Sequence, residues 1–388
     1  MELGQYAIPA IYTVCGPLAW LVIGFAMLKS RARLRIRLSP PRAPDGPLPA
    51  VSVIVPCRNE STHIASCLRS ILDQNYAGDL QVIAIDDRST DNTASVIDAL
   101  RDDSAGRLQT LHVREGELPD GWLGKPNALT RGVAIARGQW LVFVDSDCTP
   151  APNAVIEAIA TGVGRRFDLV SFIPRFVGSG FWDGLMTPLC GIATSAMFGI
   201  MYANSAMLPR IAFACGQFIA IRREVYDAIG GHAAVKDSAG EDVEIARILK
   251  RRGYRPRLGW GLDLITTRMY SDLRSIMQGW SRNFIAASRG RPWRVLAAVS
   301  FLFAGVFSAI PALVLGDHLL QSLGVSHLVL ITMLLALGYH QAAASAWRAL
   351  LWPISIVVLL AIYARSLLLC YTRRLTWRGS PVEVRAAS

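Results

Sequence analysis

Two short, mostly apolar runs, each closing on a pair of acidic residues, constrain this chain more than any other feature. Trp140-Leu141-Val142-Phe143-Val144 leads into Asp145-Ser146-Asp147, and Gln81-Val82-Ile83-Ala84-Ile85 leads into Asp86-Asp87. Such runs, rich in β-branched and aromatic types, are too short for an ordinary helix and fit strands buried on both faces. Strands of that kind belong to parallel sheets, whose C-terminal edge is where open α/β folds hold their ligands. In an extended backbone Asp145 and Asp147 project to one side, where both can face a divalent cation or the diphosphate it bridges. Asp-Ser-Asp is equally a good turn sequence, because short polar side chains bond their own backbone. The repeated acidic ending favours the functional reading.

The surrounding pattern alternates. Val51 to Val55 is a further buried strand, expected to stop at Pro56, which cannot donate to a ladder. The polar loop Cys57-Arg58-Asn59-Glu60 precedes a helix expected over Ser61 to Leu72, with Ile64, Leu68 and Ile71 on one face and Ser61 as its cap. Further helices are expected through Leu100, over Pro150 to Arg166 and over Val243 to Arg251, with strands at Asp168 to Ile173 and after the small-residue loop at Ala214. This alternation predicts right-handed β-α-β units and a parallel sheet. No G-x-G-x-x-G follows the first strand and no P-loop occurs, which argues against NAD enzymes and P-loop ATPases.

An apolar fraction of 52% is high for a wholly soluble chain of 388 residues, and the excess lies near the two ends. Ala7 to Leu28 carries no charge and is long enough for the roughly 30 Å hydrocarbon core of a bilayer. No Lys or Arg precedes it and no small-residue cleavage site follows, so an anchor is expected rather than a signal peptide. Basic residues flank the apolar blocks (Lys29 to Arg42, Arg289 to Arg294, Arg373 to Arg378), so the net charge of +11 points to a membrane surface and not to nucleic acid. Val295 to Gly316 and Leu350 to Tyr371 are long enough to span. His327 to Leu337 is shorter; apolar content favours three C-terminal spans, whereas the basic tail favours two. Seven cysteines, an odd number without a C-x-x-C pair, argue against a disulfide framework or zinc site and for a reducing cytosol around the middle of the chain, with Cys148 a small packed residue beside the acidic pair. The expected organisation is a transmembrane helix at 1–28, a basic and proline-rich linker at 29–49, an α/β domain at 50–290, a transmembrane region at 291–375 and a tail at 376–388.

The segments Val51 to Glu60, Ile85 to Thr93, Val144 to Asp147 and Gly240-Glu241-Asp242 occur in the order and rough spacing of the family 2 glycosyltransferases, which residues 50–290 resemble. Leu118 to Lys125 also resembles the subgroup that glycosylates membrane lipids, including enzymes associated with hopanoid and carotenoid pathways. The resemblance implies a GT-A fold, Rossmann-like with a mostly parallel sheet, between N- and C-terminal transmembrane helices. It further implies inverting transfer of a sugar from a nucleotide-sugar, a UDP-sugar, to a lipid hydroxyl at the cytosolic leaflet of the inner membrane. Carried over by residue, Pro56, Arg58, Glu60 and Asp87 would hold the uridine part. Asp145 and Asp147 match the D-x-D motif, with Asp147 the main ligand of Mg²⁺ or Mn²⁺, which would neutralise the diphosphate leaving group. Asp242 would be the general base, since an attacking alcohol must lose its proton, and Glu241 its reserve. Lys125 reaches a phosphate or is simply solvated. Phe181 to Leu208 is expected to lie at the membrane interface beside the acceptor entrance, a buried helix pair being the alternative. Trp280 and Arg282 stand where processive members carry Q-x-x-R-W, from which Gln278 to Asn283 departs. That departure argues against a polysaccharide synthase and leaves the two residues as acceptor or diphosphate contacts or as an interfacial pair. A non-catalytic membrane binding module is opposed by the intact acidic motifs.

Overall fold

Alternating side chains on fully apolar strands build the domain from the inside. In the computed structural model, which describes residues 2–34, 46–178, 180–208, 210–270, 272–288, 290–372, 375–377 and 380–382, these strands are β1 (Val51–Cys57), β2 (Leu80–Asp87), β3 (Leu108–Val113), β4 (Trp140–Val144), β5 (Cys148–Pro150), β6 (Leu169–Ile173), β7 (Arg175–Phe176), β8 (Phe218–Arg222), β9 (Pro256–Trp260) and β10 (Ile265–Thr267). Most of the expected linker and tail, and Arg289, lie outside the described residues. Seven strands form one sheet in the order β3-β2-β1-β4-β8-β6-β9, and β5, β10 and β7 form a small second one. Only β8 runs against its neighbours in the large sheet, so it is mostly parallel, as expected.

Val53, Val82 and Val142 face helices Ile64–Leu72, Thr93–Asp103 and Ala154–Arg165, while Ile54, Ile83 and Leu141 face helices Gly124–Ile135 and Glu241–Arg251. Coverage on both faces is why these strands read as continuous apolar runs.

Several elements differ from expectation. β1 continues through Pro56 to Cys57, pairing with β2 as far as Asp86. Its pairing with β4 ends at Ile54, so the proline, whose missing N–H points to the β4 side, interrupts no hydrogen bond. The first helix starts at Ile64, not Ser61, and His63 precedes it without a side-chain cap. Ser61 instead donates its N–H to Asp91 Oδ2 at 3.2 Å. Residues 148–150 are strand, so the next helix begins at Ala154 and not at Pro150.

Among the described residues, four helices are long and apolar enough to cross a membrane: Ala7–Lys29, Pro292–Leu315, His318–Gln341 and Ala346–Thr372. The third extends well beyond the expected His327 to Leu337. A π-helical turn at Val14–Leu18 interrupts the first, where Pro17 has no N–H to continue the ladder. Trp20, Ile331, Leu335, Ile356 and Tyr363 from these helices form a separate apolar core with helices Phe181–Phe198 and Leu273–Ser288. The first half of Phe181–Phe198 is buried there. A 3₁₀ turn (Ile200–Tyr202) and an exposed loop follow it.

Candidate active site

The carboxyl ends of β1, β2 and β4 lie side by side, and the loops leaving them interlock. Asn59, at φ 55°, donates its N–H to Ser89 Oγ at 2.9 Å and accepts the Thr90 N–H at 2.8 Å. Glu60 donates its N–H to Thr93 Oγ1 at 2.8 Å. Burial opposes ionisation of Asp91, but hydrogen bonds from Thr93 and Ser61 outweigh it and hold the carboxyl at about 2. The Pro56 to Glu60 loop and the Asp86 to Thr93 loop therefore form one rigid wall. Asp87 is buried in it, with Arg88 Nε 2.8 Å from Oδ1 and Nη2 3.2 Å from Oδ2. The start of helix Gly124–Ile135 closes on this pair so tightly that a Cβ on Gly124 would stand 2.2 Å from Asp87 Oδ2. Asp86, the first of the acidic pair that ends β2 and given no role from the sequence, is buried with its Oδ2 3.6 Å from His112 Nδ1 and no hydrogen-bond partner on Oδ1 among the described residues.

The second wall is an acidic cluster around one ammonium. Lys125 Nζ is 2.6 Å from Asp145 Oδ1 and 2.9 Å from Glu241 Oε1. Helix Gly124–Ile135 aims the lysine inward; Pro126 in its first turn and the Leu129/Val133 spacing are the local signals for that helix, which a reading as a Gly turn passes over. Asp242 accepts the Gly216 N–H on Oδ2 and its neighbour Val243's N–H on Oδ1, both at 2.8 Å. Gly216 arrives because β8 pairs with β4, a ladder extended by the Asp145 N–H donating to the Gln217 carbonyl at 3.4 Å. Burial, then the Glu241 charge, push the Asp242 carboxyl up from 3.8 to about 7, although Lys125 and the Val243 N–H pull the other way. Beneath the cluster His232 is buried against Phe143 and paired with Tyr226 Oη at 2.8 Å; burial, then Lys125, lower its pKa to about 3, so it is neutral.

Asp145-Ser146-Asp147 is a turn, closed by the Cys148 N–H donating to the Asp145 carbonyl at 3.1 Å, rather than the extended segment expected. Both carboxylates lie near the buried thiols of Cys67 and Cys148, which burial and then the charges of Asp147 and Asp145 raise. Cys148 Sγ lies 3.4 Å from Asp147 Oδ1, consistent with a packed, unreactive thiol. Tyr270 links this turn to the helices: burial raises its hydroxyl, and it feels both Arg282 and Asp147. Arg282 lies near Tyr270, whereas Trp280 is 4% exposed in the helical core between Tyr270 and Phe284.

Pro56, Lys125, Asp145, Glu241 and Asp242 line one small cavity with Gly216 and His232. Gly216 lies in the small-residue loop that starts at Ala214, whereas His232 and Tyr270 carry no sequence signal of their own. They join the site through pairing and packing between distant segments.

Comparison with known proteins agrees with this architecture. Residues 52–230 match the Glycosyl transferase family 2 profile. The chain is 25% identical over 269 residues to the 4,4'-diaponeurosporenoate glycosyltransferase of Staphylococcus aureus (strain MRSA252), covering 69% of each chain. It is 26% identical over 263 residues to that of strain USA300, covering 67% of each. Among solved structures, a mannosyltransferase from Pyrobaculum calidifontis in complex with GDP-Man and Mn²⁺ superimposes with a TM-score of 0.56 at 21% identity, covering 94% of this chain and 97% of that one, a likeness of fold. Residues 52–230 are thus a family 2 glycosyl transferase domain in a GT-A-like fold, and the chain is a glycosyltransferase.

Proposed function

We propose that the protein transfers a sugar from a nucleotide-sugar, a UDP-sugar, to a hydroxyl group of a membrane lipid at the cytosolic leaflet, with inversion. Asp242 carries this reading. Its carboxylate is oriented by two backbone N–H groups and lifted to about 7, where it can take a proton from an alcohol near neutral pH. In a single displacement Asp242 accepts the acceptor's proton as its oxygen attacks the anomeric carbon, and the nucleoside diphosphate leaves on the opposite side. The interlocked wall of Pro56, Arg58, Glu60 and Asp87 holds the nucleoside, and Lys125 lies within reach of the departing diphosphate. Glu241 keeps Lys125 aimed at the cluster.

The donor set suits Mg²⁺ or Mn²⁺. Among the described residues no three His, Cys, Asp or Glu side chains gather as a self-sufficient metal cage. The two hard carboxylates Asp145 and Asp147, two residues apart at the end of β4, would be the ligands this chain offers to an ion that takes its others from phosphate and water. Held there, such an ion would offset charge on the leaving diphosphate.

The acceptor reading rests on the apolar helices flanking the domain, with Lys29 and Arg33 following the first of them on what would be the cytosolic side. It is supported by the name of the Staphylococcus aureus relatives, 4,4'-diaponeurosporenoate glycosyltransferase. The same considerations support the reading of a multi-pass enzyme of the inner membrane.

The test is turnover of a panel of UDP- and GDP-sugars by protein reconstituted in membrane lipid, with and without Mn²⁺ or Mg²⁺, comparing wild type with Asp147→Asn and Asp242→Asn. Metal-dependent release of one nucleotide, abolished by both substitutions, is the expected result. Turnover indifferent to both would overturn the assignment of the acidic pairs.

A further inference from the structure

The loop between the Ile200–Tyr202 turn and β8 is built differently from an ordinary surface loop. Met207 is 91% exposed, Leu208 39% and Tyr202 38%. Single exposed apolar residues are common on protein surfaces, but here they cluster on one loop whose base is pinned. Lys250 Nζ donates to the carbonyls of Ala203 at 2.7 Å and Ile211 at 2.5 Å, one on each side of the loop. Asn204 pairs through its side chain with both the N–H and the carbonyl of Leu258 on β9, each at 2.8 Å. With both ends tied down, the tip cannot fold back to bury its own apolar side chains.

The place of the loop says what covers it. Leu34, at the end of helix Ala19–Leu34, packs with Ile200, Ala203 and Leu258. Arg33 lies over the Tyr202 ring at 5.7 Å, and Arg257 donates to the Arg33 carbonyl at 3.1 Å. The same helix continues the candidate span Ala7–Lys29. Leu34 is five residues past its end, or about 7.5 Å at 1.5 Å per residue. A headgroup layer is about 5–8 Å deep on each side of the hydrocarbon core. The loop base therefore lies at headgroup depth, beside basic side chains suited to anionic lipids.

We propose that the loop segment Asn204 to Leu208 is a membrane wedge, with Met207 and Leu208 dipping into the leaflet in which the first span ends. Through Lys250 the wedge is fixed to helix Glu241–Arg251, whose first turn carries Glu241 and Asp242. The bilayer surface then sets the height of the acidic cluster, so that a lipid-borne hydroxyl meets it without leaving the membrane. This inference rests on the reading of Ala7–Lys29 as a membrane span.

The test is depth measurement by nitroxide labelling of full-length protein in nanodiscs of neutral and anionic phospholipid, with Cys15, Cys215 and Cys370 replaced by alanine. Labels go at Met207→Cys, at Leu208→Cys as a second wedge position, at Val22→Cys within the first span, and at Asp102→Cys. Asp102 is exposed near β3, the sheet edge opposite β9. The expected result is several-fold greater accessibility to oxygen relative to a water-soluble nickel chelate at Met207 and Leu208 than at Asp102, with Val22 deeper still. Wedge labels that match Asp102 while Val22 lies in hydrocarbon would overturn the wedge and leave the span standing. Labels at Val22 and Met207 that both read as aqueous would overturn the membrane reading and the wedge with it.

Discussion

Replacing Asp242 with asparagine should separate the catalytic consequence of its raised pKa from the energetic one. Burial and the Glu241 charge carry this carboxyl from 3.8 to about 7, which at 1.36 kcal/mol per pH unit is a penalty of about 4 kcal/mol on the charged form. A raised acid pKa means that the folded protein favours the protonated state. The contribution to stability is therefore complete below about pH 4, declines as pH rises and is lost above about pH 7. The neutral amide of the Asp242→Asn variant carries no such penalty. In thermal unfolding followed in nanodiscs, the variant should gain on wild type as pH rises from 4 to 7 and hold that advantage at pH 8 to 9. Activity should move the opposite way: wild-type kcat/KM should rise through pH 7 to a plateau, whereas the variant should lose about 10²- to 10⁴-fold and show no rise there. A wild-type rate flat between pH 5.5 and 8.5, together with unfolding temperatures that keep a constant offset across that range, would refute the placement of the base.

Four further substitutions probe the rest of the site. Lys125→Met leaves Asp145 and Glu241 without their counter-charge; because these side chains remain 25% and 9% exposed, the loss should be about 2 kcal/mol, below that of a fully buried pair. Adding Glu241→Gln should recover part of it in the same unfolding assay. Gly124→Ala sets a methyl 2.2 Å from Asp87 Oδ2 and 2.7 Å from Arg88 Nη2, so the buried pair must shift; donor KM should rise about tenfold, or about 1.4 kcal/mol, with kcat little changed. Tyr226→Phe deprives His232 Nδ1 of its partner in a buried setting, destabilising the domain by about 1–3 kcal/mol, which a lowered unfolding temperature would report.

Local information was enough for much of this protein. The strands β1, β2 and β4 are legible because burial on both faces demands uninterrupted apolar residues. Helix Glu241–Arg251 is legible because acidic residues at its start and basic ones at its end complement its dipole. β3 escapes notice because at the sheet edge Leu-Gln-Thr-Leu-His-Val need not be wholly apolar.

What the sequence by itself determined is thus the α/β character of the middle of the chain, the apolar helices around it and the acidic residues at the strand ends. Tertiary structure alone decided which of these groups meet. β8 enters between β4 and β6 and delivers the Gly216 N–H to Asp242. Helix Gly124–Ile135 packs under β1 and β2, which turns Lys125 from a solvated side chain into the cation of the acidic cluster. Helix Leu273–Ser288 buries one face among the apolar helices, taking Trp280 into the core while Arg282 is left near Tyr270. Strand order and helix facing depend on apolar area buried between segments far apart in the chain. No local window of residue types contains that quantity.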